Sequence, residues 1–536
     1  MNSECNRGCT RYFLLFLPAA VLAATAGAIE YSIVQQTGRT VYPIDDPYIH
    51  LAMARHFAEH GVFGVSLAGF SASSSSPLWT LLLGVLFRVL GNHEWIPFGL
   101  NLLLGLIVMV YLTRLLADRW GSIWGAVVGS LFAAAIAPLP THIALGMEHI
   151  LHMGLTLMLV ERVSRTIGGE EEENAGVVLL LVFLAILTRL ETIFAAAPLA
   201  LLCLMQRKWK TAAVLVAGCG LPLAALGLIN MRNGWFFFPM SVVLKSALSL
   251  SGWERFWNCV ERLYGQLFGT PHMAAPFALG IAALLSGWRH EKIFSANSVW
   301  GIVFAAAMTL HCTFASIGWF YRYEGYLLLV GAVAAAPSVR RWAAAFWGRW
   351  KDLEHWSERM LAGGCWAGLL LLLPFPFYKQ WQSIGTLAPA ARNIYSQQYQ
   401  MGLFLKTYYE GEAAAANDIG AINYLADIEC LDLMGLGSIE PVRAKMQGVW
   451  SPRFLHSWCM QHKTAVVMIY ESWFKGVLPP TWIKAGEWRV DEKISVADST
   501  VSFLALTPSD AERLRRNLIE FEENLPEHTS LKLENP

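Results

Sequence analysis

The sequence predicts a mainly α-helical protein that crosses a membrane many times and ends in a small α/β domain. Of its 536 residues, 55% are hydrophobic and only 15% are charged, and the mean hydropathy is +0.42. A soluble chain has roughly a quarter of its residues charged. The apolar residues also form long blocks separated by short charged clusters, which is typical of helical membrane proteins. The net charge is zero without a basic tract, so the composition gives no support for nucleic-acid binding.

Apolar blocks of about 14–21 residues mark the candidate membrane spans. About eleven such blocks follow one another, near 12–31, 95–113, 120–140, 149–161, 175–188, 192–206, 211–230, 273–288, 298–318, 321–337 and 361–378. With the N-terminus in the cytoplasm, alternate connections carry the arginines and lysines, as the positive-inside rule requires. Dividing 175–206 into two short spans keeps this alternation, because a single tilted span there would place every later connection on the opposite side of the membrane. The C-terminal segment is then outside the cytoplasm.

Two apolar segments have a second interpretation. Residues 11–28 could form a signal peptide, but we retain an uncleaved first span because the rest of the chain is itself embedded in the membrane. Pro77–Leu90 is short and contains Arg88, and a crossing there would invert the basic loops that follow. We therefore expect a helix that lies at, or dips into, the outer interface, within a first outer loop of residues 34–94.

The character of the chain changes near residue 379. Charged residues, Tyr, Trp and Pro become more frequent, and the apolar runs shorten to strand length at Ala465–Tyr470 and Thr500–Leu506. From residue 413 onward, three segments follow one another. AAAANDIG predicts a strand and a turn, AINYLAD a helix, and IECLDLMGLGS a second strand. We expect a membrane domain over 1–378 and an extracytoplasmic α/β domain over 379–536.

The nine cysteines show no paired spacing. Cys5 and Cys9 form a lone CxxxC near the N-terminus, for which two reduced thiols are the simplest interpretation and a metal site the alternative. Cys430 and Cys459 lie in the C-terminal domain, where a disulfide could form outside the cytoplasm. The sequence leaves the state of this pair open.

The adjacent acids Asp45 and Asp46 lead the polar residues of the predicted outer face. Pro43 and Pro47 bracket them, so the pair lies in a turn just before a helix that starts near Tyr48. A carboxylate ahead of a helix N-terminus is electrostatically favoured there. Because Pro47 in the first turn suits a cap at Asp46, capping explains Asp46 better than it explains Asp45.

The helix after the acid pair has Ile49, Met53 and Phe57 on one face, an arrangement suited to lying on the membrane surface. Each later outer turn also carries polar or aromatic residues. These are Glu148 and His149, Arg189 and Glu191, Lys245, and Arg322 between Tyr321 and Tyr323. Any one group could be a simple interfacial anchor, but five groups on one face indicate a shared site.

The motifs in question are DDPYIHLAMARHFAEHG, SSSSPLW, GMEH, LTRLE, FFPMSVVLKS, FYRY and NDIGAINYLADIECLDLMGLGS. Together they resemble the GT-C superfamily of membrane glycosyltransferases, which use polyprenyl-phosphate sugars. The resemblance is greatest to bacterial relatives of the mycobacterial terminal arabinofuranosyltransferases, and weaker to lipid A aminoarabinose transferases and protein O-mannosyltransferases. It covers most of the chain, and the acid pair with its helix is the most specific part.

The resemblance implies a GT-C-like fold, an active site on the outer face and an acid of the first outer loop as base. Carried over to this sequence, the base is Asp45 or Asp46, and Lys245 and Arg322 match positions near the donor phosphate. We add Arg189 as a further phosphate-binding candidate. Relatives often have Asn within the segment that reads FPMS here, just before Lys245, which leaves the local donor contacts open.

The chemistry of this transfer needs the residue types that the outer turns supply. An acceptor hydroxyl attacks the anomeric carbon and the lipid phosphate leaves without a proton donor, since its second pKa is about 6. One general base then raises the reaction rate about 10²- to 10⁴-fold, and cations bind the leaving phosphate. Asp45 is our first choice for the base and Asp46 the second. A single displacement inverts the configuration of the sugar carbon.

Six further side chains are predicted to bind the substrate. They are His50, Glu148, His149, Glu191, Tyr321 and Tyr323. A divalent cation held by Asp45, Asp46 and Glu148 is an open alternative, and no other cofactor is expected.

The sequence therefore predicts an inverting glycosyltransferase of the cytoplasmic membrane, with its site and C-terminal domain extracytoplasmic. Its partners would be a polyprenyl-phosphate sugar, membrane lipid, and a glycan, lipid or protein acceptor. One alternative is a transporter or lipid flippase, which places charges near the bilayer midplane. Arg189 and Glu191 at mid-depth on a single span would favour that alternative. The other is a catalytically inactive scaffold of the cell envelope, which turnover of donor lipid would distinguish from an enzyme.

Overall fold

The structure is a computed structural model that describes residues 2–244, 252–352 and 374–534. Its first part is a helical bundle. The bundle begins with α1 Asn2–Thr37, α2 Asp46–His60, α3 Pro77–Leu90, α4 Ile96–Trp120, α5 Ile123–Ile136, α6 Leu139–Ala144, α7 His149–Gly168, α8 Ala175–Thr188 and α9 Thr192–Met205. It continues with α10 Trp209–Arg232, α11 Met240–Val243, α12 Gly252–Phe268, α13 Pro271–Trp288, α14 Ala296–Phe314, α15 Gly325–Asp352 and α16 Pro374–Ile394.

Five helical segments among the described residues are long and apolar enough to cross a membrane. They are Phe13–Thr37, Ile96–Trp120, Trp209–Arg232, Ala296–Phe314 and Gly325–Ala345. The pair α12 and α13, bent by 87°, passes the same test only when taken together, and α3, α5, α8 and α9 are shorter apolar helices. The chain is therefore a multi-pass membrane protein that is mainly helical, which confirms the predicted fold class.

Ten of the eleven expected spans coincide with a helix of the bundle. The eleventh, 361–378, falls mostly outside the described residues. The helix α7 carries Glu161, Arg162 and Arg165, and it is not among the five long apolar segments. It lies inside the bundle, where Glu161 accepts hydrogen bonds from Arg119 at 2.6 Å and from Trp300 at 3.0 Å. These partners offset the cost of burying its charge.

The two helices of the first loop form where the sequence predicts them. The segment Pro77–Leu90 is a single helix, and its Pro77 occupies the first turn, where a missing N–H is tolerated. The environment of α2 differs from the expectation of one apolar face on a membrane surface. All ten residues from Pro47 to His56 are buried, because α2 is covered by α3 and by a short helix of the C-terminal domain.

The C-terminal domain packs helices around one six-stranded sheet. Its elements are a π-helical turn Tyr395–Tyr399, α17 Gln400–Tyr408, β1 Ala413–Ala416, α18 Gly420–Leu425, β2 Glu429–Asp432, α19 Glu440–Met446, α20 Pro452–Gln461, β3 Val466–Ile469, a 3₁₀ turn Glu471–Phe474, β4 Ile483–Val490, β5 Thr500–Ala505, α21 Pro508–Phe521, a 3₁₀ turn Glu522–Asn524 and β6 Thr529–Leu533. The strand order is β2-β1-β3-β5-β4-β6. This confirms the small C-terminal α/β domain.

The strand β1 is fully buried and pairs in parallel with both β2 and β3. Parallel strands covered on both faces are apolar throughout, which fits its sequence of four alanines. Past β3 the pairing becomes antiparallel. There Phe404 of α17 meets Trp488, Phe503 and Phe521, with ring centroids 5.4–5.6 Å apart. These rings fix α17 and α21 on the same face of the sheet.

The helix α16 connects the two parts of the molecule. Residue 379, our expected domain boundary, lies inside α16, which packs on α1 and α5 before it continues into the π-helical turn. The thiols of Cys430 and Cys459 are free and buried, so this pair forms no disulfide. The side chains of Cys5 and Cys9 lie outside the described residues.

Close helix contacts in the membrane part depend on glycine. A Cβ on Gly280 of α13 would lie 2.2 Å from the ring of Phe304, and a Cβ on Gly331 of α15 would lie 2.6 Å from the same ring. Phe304 of α14 is fully buried and so fills the space that two neighbouring helices leave open. Small residues at such contacts let membrane helices approach closely.

We expect Gly280→Ala to lower the thermal unfolding midpoint of the detergent-solubilised protein. The added methyl group overpacks the Phe304 contact, at a cost of about 1–3 kcal/mol. Gly265→Ala is the matched control, because a Cβ there meets nothing within 4 Å and both changes raise helix propensity alike. Adding Phe304→Leu to Gly280→Ala should recover part of the loss. Equal midpoints for the two alanine variants would contradict this packing.

Candidate active site

Asp45 joins the membrane part to the C-terminal domain. It occupies the N-cap position of α2 but makes no side-chain cap bond with that helix. Its Oδ2 accepts the N–H of Gly420 at 2.7 Å, and its Oδ1 accepts the N–H of Ala421 at 2.8 Å. These donors are the first two residues of α18, whose unpaired N–H groups favour a carboxylate. Asp45 therefore caps a helix of the other domain.

Gly420 permits this close approach. A Cβ there would lie 2.3 Å from the backbone oxygen of Asp45 and 2.7 Å from its Oδ2. The same helix is fixed by a second contact from α2, in which Arg55 donates to Asp427 at 2.5 Å and to the backbone oxygen of Asn423 at 3.1 Å. Two separate points of α2 thus hold the start and the end of α18.

Asp418, two residues before Gly420, is a second acid of the same junction. Its Oδ2 accepts hydrogen bonds from Gln398 at 2.9 Å and from the hydroxyl of Tyr470 at 2.8 Å. Burial and the nearby charge of Asp418 raise the pKa of Asp45 to about 7. Burial raises the pKa of Asp418 as well. The two half-buried carboxyls therefore interact closely.

The sequence motif that contains Asp418 contributes to the resemblance, but sequence reasoning did not select Asp418 as a site residue. Its signal was the turn NDIG directly after a buried strand. Polar residues at the carboxyl ends of parallel strands often form sites, and this rule would have identified it.

Asp46 forms an ion pair with Arg322. Its side chain is 46% exposed whereas that of Arg322 is only 5% exposed, so the acid is open and the cation is covered. Arg322 also donates to the hydroxyl of Tyr323 at 2.7 Å and lies 4.8 Å from the centre of its ring. The expected cap at Asp46 is not present, because Asp45 holds the N-cap position and Asp46 is the first helical residue.

The loop that carries Arg322 has an unusual backbone. Trp319, Phe320 and Tyr321 have φ values of 50°, 62° and 57° in succession, a left-handed conformation that costs other residues than glycine roughly 1–2 kcal/mol each. Such strain persists only where surrounding contacts hold it and is frequent at functional sites. Both carboxylate oxygens of Glu324 accept the N–H of Gly318 at 3.1 Å, which closes the loop.

A buried charge network lies next to this loop. Arg189 donates to Glu148 at 2.6 Å and to Glu191 at 2.6 Å, and the side chain of Glu148 is fully buried. The Nε2 of His50 lies 3.7 Å from Glu148, and its Nδ1 contacts the hydroxyl of Thr80 at 2.8 Å. The turn between α8 and α9 supplies Arg189 and Glu191.

Aromatic contacts connect the network to the acid pair. Both arginines contact the ring of Tyr323, because the guanidinium carbon of Arg189 lies 5.5 Å from its centre and that of Arg322 lies 4.8 Å from it. The ring of His149 packs on Tyr323 with centroids 6.2 Å apart, and its buried Nε2 has no hydrogen-bond partner among the described residues. Tyr321 lies apart from this set, against His272 at 5.1 Å and below Lys379 at 5.8 Å.

The structure thus brings most of the expected residues into one connected set. It contains Asp45, Asp46, His50, Glu148, His149, Arg189, Glu191, Arg322 and Tyr323. Tyr321 contacts other residues, and Lys245 lies outside the described residues. Within the described ranges, no three or more His, Cys, Asp or Glu side chains are arranged to hold a metal ion. Asp45, Asp46 and Glu148 are the three acids considered as ligands of a divalent cation. In the structure, Asp45 accepts backbone N–H groups, and Asp46 and Glu148 pair with arginines.

Comparisons with known proteins support this fold. A family model described as a domain of unknown function (DUF8728) matches residues 392–504, in the C-terminal domain. The structure of ArnT from Cupriavidus metallidurans bound to undecaprenyl phosphate is similar, with a TM-score of 0.53, 15% identity, and coverage of 92% of this chain and 98% of that chain. The structure of apo ArnT from the same organism has a TM-score of 0.52 and 15% identity, with coverage of 94% of this chain and 99% of that chain. A search of curated proteins finds no match. The likeness to ArnT confirms the GT-C-like fold.

We expect Gly420→Ala to weaken the contact between the two domains. The added Cβ would collide with Asp45, so α18 must move away from the carboxylate that caps it. Limited proteolysis of the purified protein should then cut the C-terminal domain faster than in the wild type. Gly385→Ala serves as the control, because no atom lies within 4 Å of a Cβ at that position. Identical digestion of the two variants would contradict the assigned contact.

We expect Arg189→Met to destabilise the protein strongly. The change leaves Glu148 and Glu191 without their cation, and an unpaired buried charge costs about 3–5 kcal/mol. Arg392→Met provides the comparison, since its pair with Glu492 is largely exposed and an exposed pair contributes about 1 kcal/mol or less. Thermal unfolding in detergent measures both. The interpretation fails if the two variants lose stability equally.

Proposed function

We propose that the protein is an inverting glycosyltransferase that moves a sugar from a polyprenyl-phosphate donor to an acceptor hydroxyl. The observation that carries the proposal is the acid group Asp45, Asp46 and Asp418 at the junction of a GT-C-like membrane part and the C-terminal domain. A fold likeness leaves chemistry open. It is the side chains at this junction that supply the base and the cation that such a transfer requires.

Asp45 has the properties of the base. A general base works best when its pKa is near the working pH, and burial together with Asp418 raises the pKa of Asp45 to about 7. The two backbone N–H groups orient its carboxylate, and each oxygen keeps a lone pair for the acceptor proton. Asp46 is more exposed, but its pairing with Arg322 makes it a weaker base.

In the proposed reaction, the acceptor hydroxyl attacks the anomeric carbon and its proton passes to Asp45. A new C–O bond forms as the bond to the lipid phosphate breaks, and the phosphate leaves with the electron pair. Arg322 is the cation best placed for that phosphate, because its partner Asp46 is a half-exposed acid that the phosphate can replace. Lys245, expected near the phosphate from the resemblance, remains a prediction.

Arg189 has a different role in this proposal. It already faces two carboxylates, Glu148 and Glu191, so it holds the sugar-facing acids in place and carries little free positive charge for a phosphate. We assign the sugar hydroxyls to Glu148, His149 and His50, which lie together in the buried network beside Asp46 and Arg322. Tyr323 contacts both arginines through its ring.

The site is proposed to face the periplasm or exterior from the cytoplasmic membrane, on the basis of the basic loops in the sequence. The finer relationship to the mycobacterial arabinofuranosyltransferases, and the choice of glycan, lipid or protein as acceptor, rest on the sequence resemblance alone. A transporter would be favoured by Arg189 and Glu191 in the middle of one span. They lie instead in the turn between the separate helices α8 and α9, which favours the enzyme.

We expect Asp45→Asn to lower kcat by about 10²- to 10⁴-fold, the usual contribution of a general base. The assay follows release of polyprenyl phosphate from a polyprenyl-phosphate sugar by the purified protein. Asp46→Asn should mainly lower the KM for the donor, since it removes the acid that competes with the phosphate for Arg322 but spares the base. The control Asp491→Asn removes an exposed acid of the C-terminal domain and should change neither constant. Full activity in both Asp45→Asn and Asp46→Asn would refute the mechanism.

The rate should also rise with pH through about 7, because Asp45 accepts a proton only when it is ionised. Asp418→Asn removes a like charge next to Asp45, so it should lower the pKa of Asp45 and move the rising limb to lower pH. The measurement is kcat/KM against pH for the wild type, Asp418→Asn and the control Asp491→Asn. If the rising limb of kcat/KM lies at the same pH in all three proteins, Asp418 does not influence the pKa of the base.

A further inference from the structure

The helix α12, Gly252–Phe268, presents a wide apolar surface outside the bundle. Six large side chains of this helix are 39–69% exposed. They are Trp253, Phe256, Trp257, Val260, Tyr264 and Phe268. At 3.6 residues per turn these positions fall within a stripe of about 120° on the helix circumference. Trp253 stacks on Phe256 with centroids 5.7 Å apart, and Tyr264 lies 5.5 Å from Phe268, so two groups of rings flank Val260 in the stripe.

The opposite face of α12 is polar and bonded to the protein. Arg262 donates to the backbone oxygen of Ala315 at 2.9 Å, and Gln266 donates to the same oxygen at 3.3 Å. Ala315 follows directly after α14 and begins the loop that leads to Arg322. The bonds on this face hold α12 at the level of that loop and direct its aromatic stripe outward.

The orientation of α12 relative to the membrane follows from its neighbour. The helix α13 is bent from it by 87° across a short break. Near its far end it has the apolar side chains of Leu285 and Trp288, which are 53% and 43% exposed. If α13 crosses the bilayer, then α12 runs parallel to the surface. A helix with aromatic residues on one face and charged residues on the other binds at the boundary of headgroups and acyl chains.

We propose that α12 is an interfacial helix whose aromatic stripe binds the lipid surface of the membrane and fixes the Arg322 loop at headgroup depth. The stripe is apolar and exposed, whereas Arg262 and Gln266 on the opposite face are bonded to Ala315 beside the loop. A lipid surface is therefore the partner that fits it. The inference concerns membrane contact and holds whether or not the protein transfers sugars.

Photocrosslinking tests this proposal on the intact protein. The photoreactive amino acid p-benzoylphenylalanine is placed at Trp257 or Tyr264 in the stripe, and at Arg255 on the opposite face as the matched control. Each variant is reconstituted in nanodiscs of phosphatidylethanolamine and phosphatidylglycerol and then irradiated. Exchange of one large ring for another at Trp257 and Tyr264 preserves the fold, which the thermal unfolding midpoint checks.

Mass spectrometry of the irradiated protein should show phospholipid adducts at Trp257 and Tyr264 with a several-fold higher yield than at Arg255. Equal yields at the three positions would overturn the proposal, because the stripe would then have no preference for lipid. Crosslinks from Trp257 to a second copy of the chain, without lipid adducts, would also overturn it and identify the face as a protein interface.

Discussion

The contact between Asp45 and the first two N–H groups of α18 holds the site together. One carboxylate, placed by the membrane part, satisfies donors that would otherwise be unpaired at the start of a helix in the C-terminal domain. The partners are 375 and 376 residues apart along the chain, so their meeting depends on the whole fold. Because α18 directly follows the turn with Asp418, the same contact that docks the domain brings a second acid next to the first.

This arrangement has an electrostatic consequence. Two acids close together in a partly buried junction disfavour each other's ionised form, which raises the pKa of Asp45 into the neutral range. The two N–H donors act in the opposite direction, and burial outweighs them. The junction is therefore both the attachment of the domain and the source of a carboxylate with unusual basicity. Separation of the two domains would remove both properties together.

The cations of the site are arranged around one aromatic ring. Arg189 and Arg322 both lie near Tyr323, and each is balanced by acids of its own group. Three carboxylates face these two guanidinium groups, so the pocket is not an open cationic patch. Of these acids the half-exposed Asp46 is the one that, in the proposed reaction, the donor phosphate displaces from Arg322. Glu148 is fully buried and remains with Arg189.

The sequence by itself determined the helical membrane architecture, the small α/β domain and the polar turns of the site. Hydrophobic blocks, basic loops and short strand-length runs are local properties, and each predicts its own element. Only the tertiary structure decided how the two acids differ. The choice of N-cap, the enclosure of α2, the partner of Asp46 and the presence of Asp418 depend on contacts between segments far apart in sequence. Local patterns carry no record of such contacts, because the free energy of a cap or an ion pair depends on which groups the fold brings within hydrogen-bonding distance.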